Sequence, residues 1–177
     1  GDNIEQLIAN TQAYQSRVIE AAAESYRRQK YQPVDAIFQF MFVEAWPSMN
    51  WAVVDYLRQP KPGYQALARS YQPVLPSMTW TRDRYAVGEV LDLPLTVVND
   101  LRRPIADAEL IVELSVVETP DTLLQSERLP LTVAADGVSA TQSVRLSLPR
   151  AGDYRVRALV IEQGQELGLQ EHRIEVR

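Results

Sequence analysis

The stretch Ile37-Phe38-Gln39-Phe40-Met41-Phe42-Val43-Glu44-Ala45-Trp46-Pro47-Ser48-Met49-Asn50-Trp51 holds the side chains of this chain best suited to chemistry. An almost wholly apolar run delivers one carboxylate and then two tryptophans. Tryptophan faces suit the apolar C–H faces of sugar rings, and a carboxylate accepts hydrogen bonds from hydroxyl groups. Glu44, Trp46 and Trp51 are therefore the candidate substrate-binding residues. Packing at the strand end is the competing reading for both tryptophans, and a rim hydrogen bond for Glu44. Gln39 reads as a polar group bonding its neighbours inside the run. Phe38, Phe40 and Phe42 recur at period two and read as core filling. Asp55 reads as a local cap.

The remaining residues exclude more than they offer. Cysteine is absent and His172 is the single histidine, so no metal ligand set, disulfide or thiolate nucleophile is expected. No Ser-His-Asp set and no glycine loop for phosphate can be drawn. No catalytic residue and no cofactor are assigned to this chain. Arg102-Arg103 reads as a solvated turn, Arg155 and Arg157 as exposed, and His172 as a residue without a chemical role. A net charge of −5 argues against nucleic acid. No apolar run approaches the ~20 residues of a membrane span.

Two compositions stand side by side. Residues 1–76 carry 7 Lys+Arg and 7 Asp+Glu, whereas residues 77–177 carry 11 and 16. Eleven of the 14 aromatic residues precede residue 77. The prolines of Gln72-Pro73-Val74-Leu75-Pro76 place a boundary there. In the first part, Ile4, Leu7, Ile8, Thr11, Tyr14, Val18, Ile19, Ala22 and Tyr26 recur at helical spacing, which predicts a helix over 4–29. Asn3 and Gln6 suit its start, and Arg27, Arg28 and Lys30 suit its negative end. Residues 36–43 read as a strand buried on both faces, and residues 62–71 as a second helix that opens on Pro62. In the second part, seven strands are predicted at 78–85, 90–98, 106–117, 122–133, 140–148, 154–162 and 167–176. Their alternation and regular turns argue a two-sheet sandwich. Tyr154, after Gly152-Asp153, stands where a tyrosine corner belongs, with an ordinary core tyrosine as the alternative.

The run FQFMFVEAWPSMNWAVVDYLRQPKPGYQALARSYQPV resembles the end of the catalytic barrel in glycoside hydrolase family 2, in its β-mannosidase and exo-β-glucosaminidase branch. That branch carries a final strand of the type G-x-x-x-W-x-L-N-x-x-W-P, then S-W, D-Y or E-Y, and a helix with tyrosine and alanine. Trp46-Pro47, Asn50-Trp51, Asp55-Tyr56 and Pro62-Gly63-Tyr64-Gln65-Ala66-Leu67 match. Ala36, Phe40, Val43 and Glu44 depart from the usual glycine, tryptophan and asparagine or aspartate.

The resemblance implies an α+β chain: a helix–strand–helix remnant of a TIM barrel over 1–76, then an immunoglobulin-like sandwich over 77–177. It implies a parent that is a retaining O-glycosyl hydrolase with two catalytic carboxylates on earlier strands, so this chain alone is expected to be inactive. The implied partners are the remainder of the barrel and an oligo- or polysaccharide; neither nucleic acid nor membrane is expected. Strand 36–43 is expected either to be covered by the two helices or to drive self-association. No basic segment followed by an apolar run opens the chain, so no signal peptide is expected. Gly1 in place of Met fits a processed or excised chain, and the compartment is left between bacterial cytoplasm and periplasm or exterior. The alternative is a stand-alone immunoglobulin-like interaction or adhesion module with a helical docking segment.

Overall fold

The computed structural model describes residues 3–177. It divides into two compact units, one running to Gln72 and one from Pro73 to Arg177.

The first unit holds α1 (Ile4–Arg28) and α2 (Pro62–Ser70), joined by a long connection without regular structure. Asn3 caps α1: its side-chain oxygen accepts the Gln6 backbone N–H at 2.9 Å. Arg27 and Arg28 lie in the last turn, where the helix dipole favours cations. Glu24 lies one turn before Arg28 at 3.8 Å; burial pulls the Arg28 guanidinium below its ordinary pKa, and Glu24 offsets part of that. The helices are held together by Arg69 on Glu20 at 3.1 Å and by Arg27 donating to the Ser70 carbonyl oxygen. Gly63 permits their approach, because a Cβ there would stand 3.1 Å from Ile19 Cδ1 and 3.4 Å from Val53 Cγ1.

The strand predicted at 36–43 is not formed. Its single ladder contact is a parallel bridge between Val43 and Val54. There, Val54 N–H donates to the Phe42 oxygen at 3.0 Å and Glu44 N–H to the Val54 oxygen at 3.0 Å. Upstream, Met41 turns to φ 55°, which breaks the alternation that would put the three phenylalanines on one face. Phe42 meets Tyr64 of α2 edge-on, with ring centroids 5.9 Å apart. Phe38 and Phe40 stay 89% and 73% exposed. The physical reason is that a strand is stabilised by neighbours on its edges, and Val54 supplies one only at the C-terminal end of this run. The helices do not cover it.

The second unit is a sandwich of two sheets. One sheet contains β1 (Val74–Met78), β3 (Val90–Asn99), β6 (Gly137–Val138) and β7 (Gln142–Ser147). The other runs β2 (Arg84–Tyr85), β9 (Gln165–Val176), β8 (Gly152–Glu162), β4 (Ile105–Val116), β5 (Thr119–Val133). Alternation along β3 buries Leu91, Leu93, Leu95 and Val97, which meet Leu110, Val112 and Leu114 of β4 and Val156 and Ala158 of β8 in one core.

The predicted strand 78–85 is really two strands in different sheets. Met78 ends β1 of the first sheet, and Arg84–Tyr85 pairs in parallel with Glu175–Val176 of the second. Pro76 did not stop β1, because β1 pairs only with β3, and an edge strand tolerates a missing N–H.

Asn99 is fully buried and organises the turn after β3. Its Nδ2 donates to Arg103 and Ala134 oxygens at 3.0 and 2.9 Å, while its Oδ1 accepts Leu101 N–H at 3.0 Å. Tyr154 is completely buried, and its hydroxyl donates to the Arg150 carbonyl oxygen at 2.8 Å, which is the bond of a tyrosine corner.

Candidate functional site

The site is the groove of the first unit between α1 and the segment 37–51, with a volume of about 910 Å³. Its long wall is the apolar stripe of α1, where Ile4, Leu7, Ile8, Tyr14 and Val18 are 47–64% exposed. The stripe has the periodicity of a core-facing helix, yet in this unit it faces open space. The opposite wall carries Phe38, Phe40, Met49 and Trp51. Tyr71 stands at one end, its hydroxyl donating to the Ile37 oxygen at 3.3 Å, and burial pushes its phenol above the ordinary tyrosine pKa.

The three candidate residues part company here. Glu44 is 3% exposed and lines the floor together with Lys61, whose ammonium forms an ion pair with the Glu44 carboxylate. Its backbone oxygen also accepts Arg58 Nη1 at 3.1 Å. Glu44 is therefore a charge anchored beneath the surface. Trp46 and Trp51 are 67% and 70% exposed and present their rings to solvent. Trp51 lines the groove beside Glu44; Trp46 is outside its lining.

Neutral amides organise the Trp51 wall. Gln39 Nε2 donates to the Phe40 oxygen at 2.9 Å and to the Trp51 oxygen at 3.3 Å. Gln15 Nε2, from α1, reaches the same Trp51 oxygen at 3.0 Å. Asn50 Oδ1 accepts Ala52 N–H at 2.8 Å. Asp55 caps its own turn by accepting Gln59 N–H at 2.8 Å. Gln15 was legible only as a polar position within the helical stripe, and Lys61 only as the residue before Pro62; neither carried a motif that could have marked it.

The polar residues outside the groove hold the sandwich. Arg155 donates to the Pro120 oxygen at 2.7 Å, and Arg157 pairs with Glu113 at 3.0 Å, so both are more engaged than an exposed face would require. Arg103 pairs with Glu162 at 2.7 Å, which fastens the turn read as solvated. His172 stacks on Trp80 at 4.3 Å and meets Asp83 at 2.9 Å. Among the described residues no group of His, Cys, Asp and Glu could hold a metal ion, and no helix is long and apolar enough to cross a membrane.

No family model matches the chain. Curated relatives do. β-Mannosidase B of Aspergillus niger is 28% identical over 109 residues, covering 58% of this chain and 13% of the relative. β-Mannosidase B of Aspergillus terreus is 30% identical over 74 residues, covering 41% of this chain and 9% of the relative. This chain thus spans a small part of the relatives it matches. Among solved structures, the exo-chitosanase CsxA of Amycolatopsis orientalis superposes with a TM-score of 0.75 at 17% identity, over 98% of this chain and 20% of that one. The β-D-mannosidase of Dictyoglomus thermophilum superposes at 0.71 and 14% identity, over 99% and 20%. The solved structures share the fold, and the sequence relatives are β-mannosidases B: the chain is similar to the C-terminal portion of glycoside hydrolases of family 2.

Proposed function

We propose that the first unit, to Gln72, is the closing piece of a (β/α)8 glycosidase barrel, with segment 36–43 as its last strand, and that the second, from Pro73, is an immunoglobulin-like accessory domain. The observation that carries this reading is where apolar surface lies exposed. The stripe of α1 and the run Phe38–Val43 are solvent-facing in the first unit, whereas the exposed large apolar residues described in the second are Val87, Val90, Leu123 and Leu124. A contiguous apolar face of this kind marks a surface built to be covered. A parallel barrel covers its strands on both edges and both faces.

In that setting the parent cleaves a carbohydrate. Its relatives' names point to β-mannosides and β-glucosaminides as the class. A retaining reaction needs two carboxylates ~5–5.5 Å apart. Glu44 is nearly buried and held on Lys61; in this reading the two carboxylates lie elsewhere in the parent, and this chain alone is expected to be inactive. Trp46 and Trp51 supply ring platforms at the C-terminal end of the strand, the end where barrels place their sites, with Glu44 as the polar floor. Separated from the barrel, the chain covers its apolar face by self-association.

The test is the reading frame. Sequence upstream of codon 1 is expected to encode the earlier barrel strands with a carboxylate pair, and the complete protein to hydrolyse an aryl β-mannoside or β-glucosaminide with retention. A gene that starts just before Gly1 overturns the reading, as does micromolar binding of such a glycoside by the 177-residue chain alone.

A further inference from the structure

We propose that Gln15 and Gln39 are positioning residues that set the direction in which Trp51 projects its ring from the rim of the groove. The proposal rests on Trp51 being a sugar contact in the parent, as argued above. A ring that is 70% exposed is not held by its own contacts. What holds it is its peptide. The Trp51 carbonyl oxygen accepts one amide N–H from Gln15 of α1 at 3.0 Å and one from Gln39 of the 36–43 segment at 3.3 Å. An sp² oxygen offers two lone pairs, so these two bonds saturate it.

The flanking backbone is fixed as well. Gln15 Nε2 lies 3.4 Å from the Ala52 oxygen, and Asn50 takes Ala52 N–H at 2.8 Å while donating to Ser48 Oγ at 2.6 Å. With the peptide plane held from both walls, the Cα–Cβ direction of Trp51 is set and the indole is left only its staggered rotamers. Gln15 is itself confined, since its Oε1 lies 3.4 Å from the place a Cβ would take on Gly63. A neutral amide suits this place, because it donates to carbonyl oxygens without bringing a charge to an apolar groove. Glutamate has the same shape but is acceptor-only when ionised, and it would set a carboxylate against two carbonyl oxygens.

The test has two arms. The 177-residue chain, labelled with fluorotryptophan and diluted to where it sediments as a monomer, gives resonances for Trp46, Trp51 and Trp80, assigned through single Trp→Phe variants. Gln15→Glu, and Gln15→Leu with Gln39→Leu, are expected to narrow the Trp51 resonance as the ring gains local motion. The helical circular dichroism of α1 and α2 stays unchanged and reports that the first unit is folded, and the Trp80 resonance reports the second; a lost helical signal overturns the reading of the narrowed line. An unaltered Trp51 line in both variants overturns the proposal. In the complete protein, Gln15→Glu is expected to raise KM roughly threefold to tenfold, the scale of one net hydrogen bond, with kcat retained. Trp51→Ala is expected to raise KM at least as much, and adding Gln15→Glu to it to change nothing further. If Gln15→Glu loosens Trp51 in the chain while Trp51→Ala leaves KM unchanged, the sugar-contact reading fails and the positioning geometry stands. If Gln15→Glu and Trp51→Ala raise KM additively, Gln15 acts by another route and the proposal fails.

Discussion

Replacing Lys61 by Met isolates what the ion pair at the floor of the groove contributes. The Lys61 and Glu44 side chains are 13% and 4% exposed, so water screens their attraction poorly. Removing one partner of a buried pair costs about 3–5 kcal/mol, because the other charge stays desolvated and unpaired. Lys61 keeps some solvent contact, which places Lys61→Met near the lower end, at about 3 kcal/mol, or roughly a hundredfold in the folding equilibrium. Arg58 donates to the Glu44 backbone oxygen at 3.1 Å, not to its carboxylate. The reverse change, Glu44→Met, costs less, because the longer lysine can carry its ammonium out to water on its alkyl stem. The double variant stays within about 1 kcal/mol of the parent sequence, since paired apolar replacements of a buried ion pair are often neutral. Urea unfolding followed by the helical circular dichroism signal of α1 and α2 reads these differences. Single changes below about 1 kcal/mol, adding linearly in the double variant, would show an ordinary surface pair and refute the reasoning.

Three further outcomes follow from the same geometry. Tyr154→Phe keeps the buried ring but removes the bond to the Arg150 oxygen, and is expected to cost about 1 kcal/mol in denaturant unfolding of the sandwich; no loss would deny the corner any energetic role. The Glu162 carboxyl is held below its ordinary pKa by the hydrogen bond from Arg103 and then by Ala106 N–H. Its contribution is therefore present above the ordinary carboxylate pKa of about 4.3 and is lost as pH falls through the lower folded value; Glu162→Gln should flatten the acid limb of the stability profile, and parallel limbs would contradict this. The isolated chain is expected to sediment as concentration-dependent oligomers that Phe38→Asp with Phe40→Asp dissolves, and a wild-type monomer at every concentration would remove the apolar face as a docking surface.

Legibility differed between the units for a physical reason. In the sandwich the inner faces of the two sheets meet within the chain, so alternation along Leu91–Val97, Ala108–Val116 and Val144–Leu148 coincides with burial. The buried Tyr154 follows the same logic. The errors fall where the chain changes sheet. Residues 78–85 look like one apolar-polar run but leave one sheet at Met78 and enter the other at Arg84, a switch that local periodicity does not encode. The prolines at 73 and 76 mark the boundary but do not reveal β1 across them, because edge position cannot be known from one strand's own residues.

In the first unit the pattern and the burial disagree, and the disagreement carries information. The α1 stripe has helical spacing and forms a helix, yet Ile4, Leu7 and Ile8 stand open to solvent. Segment 36–43 has strand composition, yet it lacks ladder partners except at Val43. Composition states what a segment is suited to be buried against; structure requires that the partner be present. Glu44 shows the converse. Its motif position advertised a carboxylate at a strand end, but whether that carboxylate is free depended on Lys61, which lies 17 positions later and arrives through α2 packing on α1. A site whose apolar walls are open while Glu44 is paired with Lys61 and Asp55 is spent on its own turn is poorly suited to bond-breaking chemistry and well suited to receiving a large apolar neighbour, which is the physical case for the proposed closing edge of a barrel over a free-standing catalytic pocket.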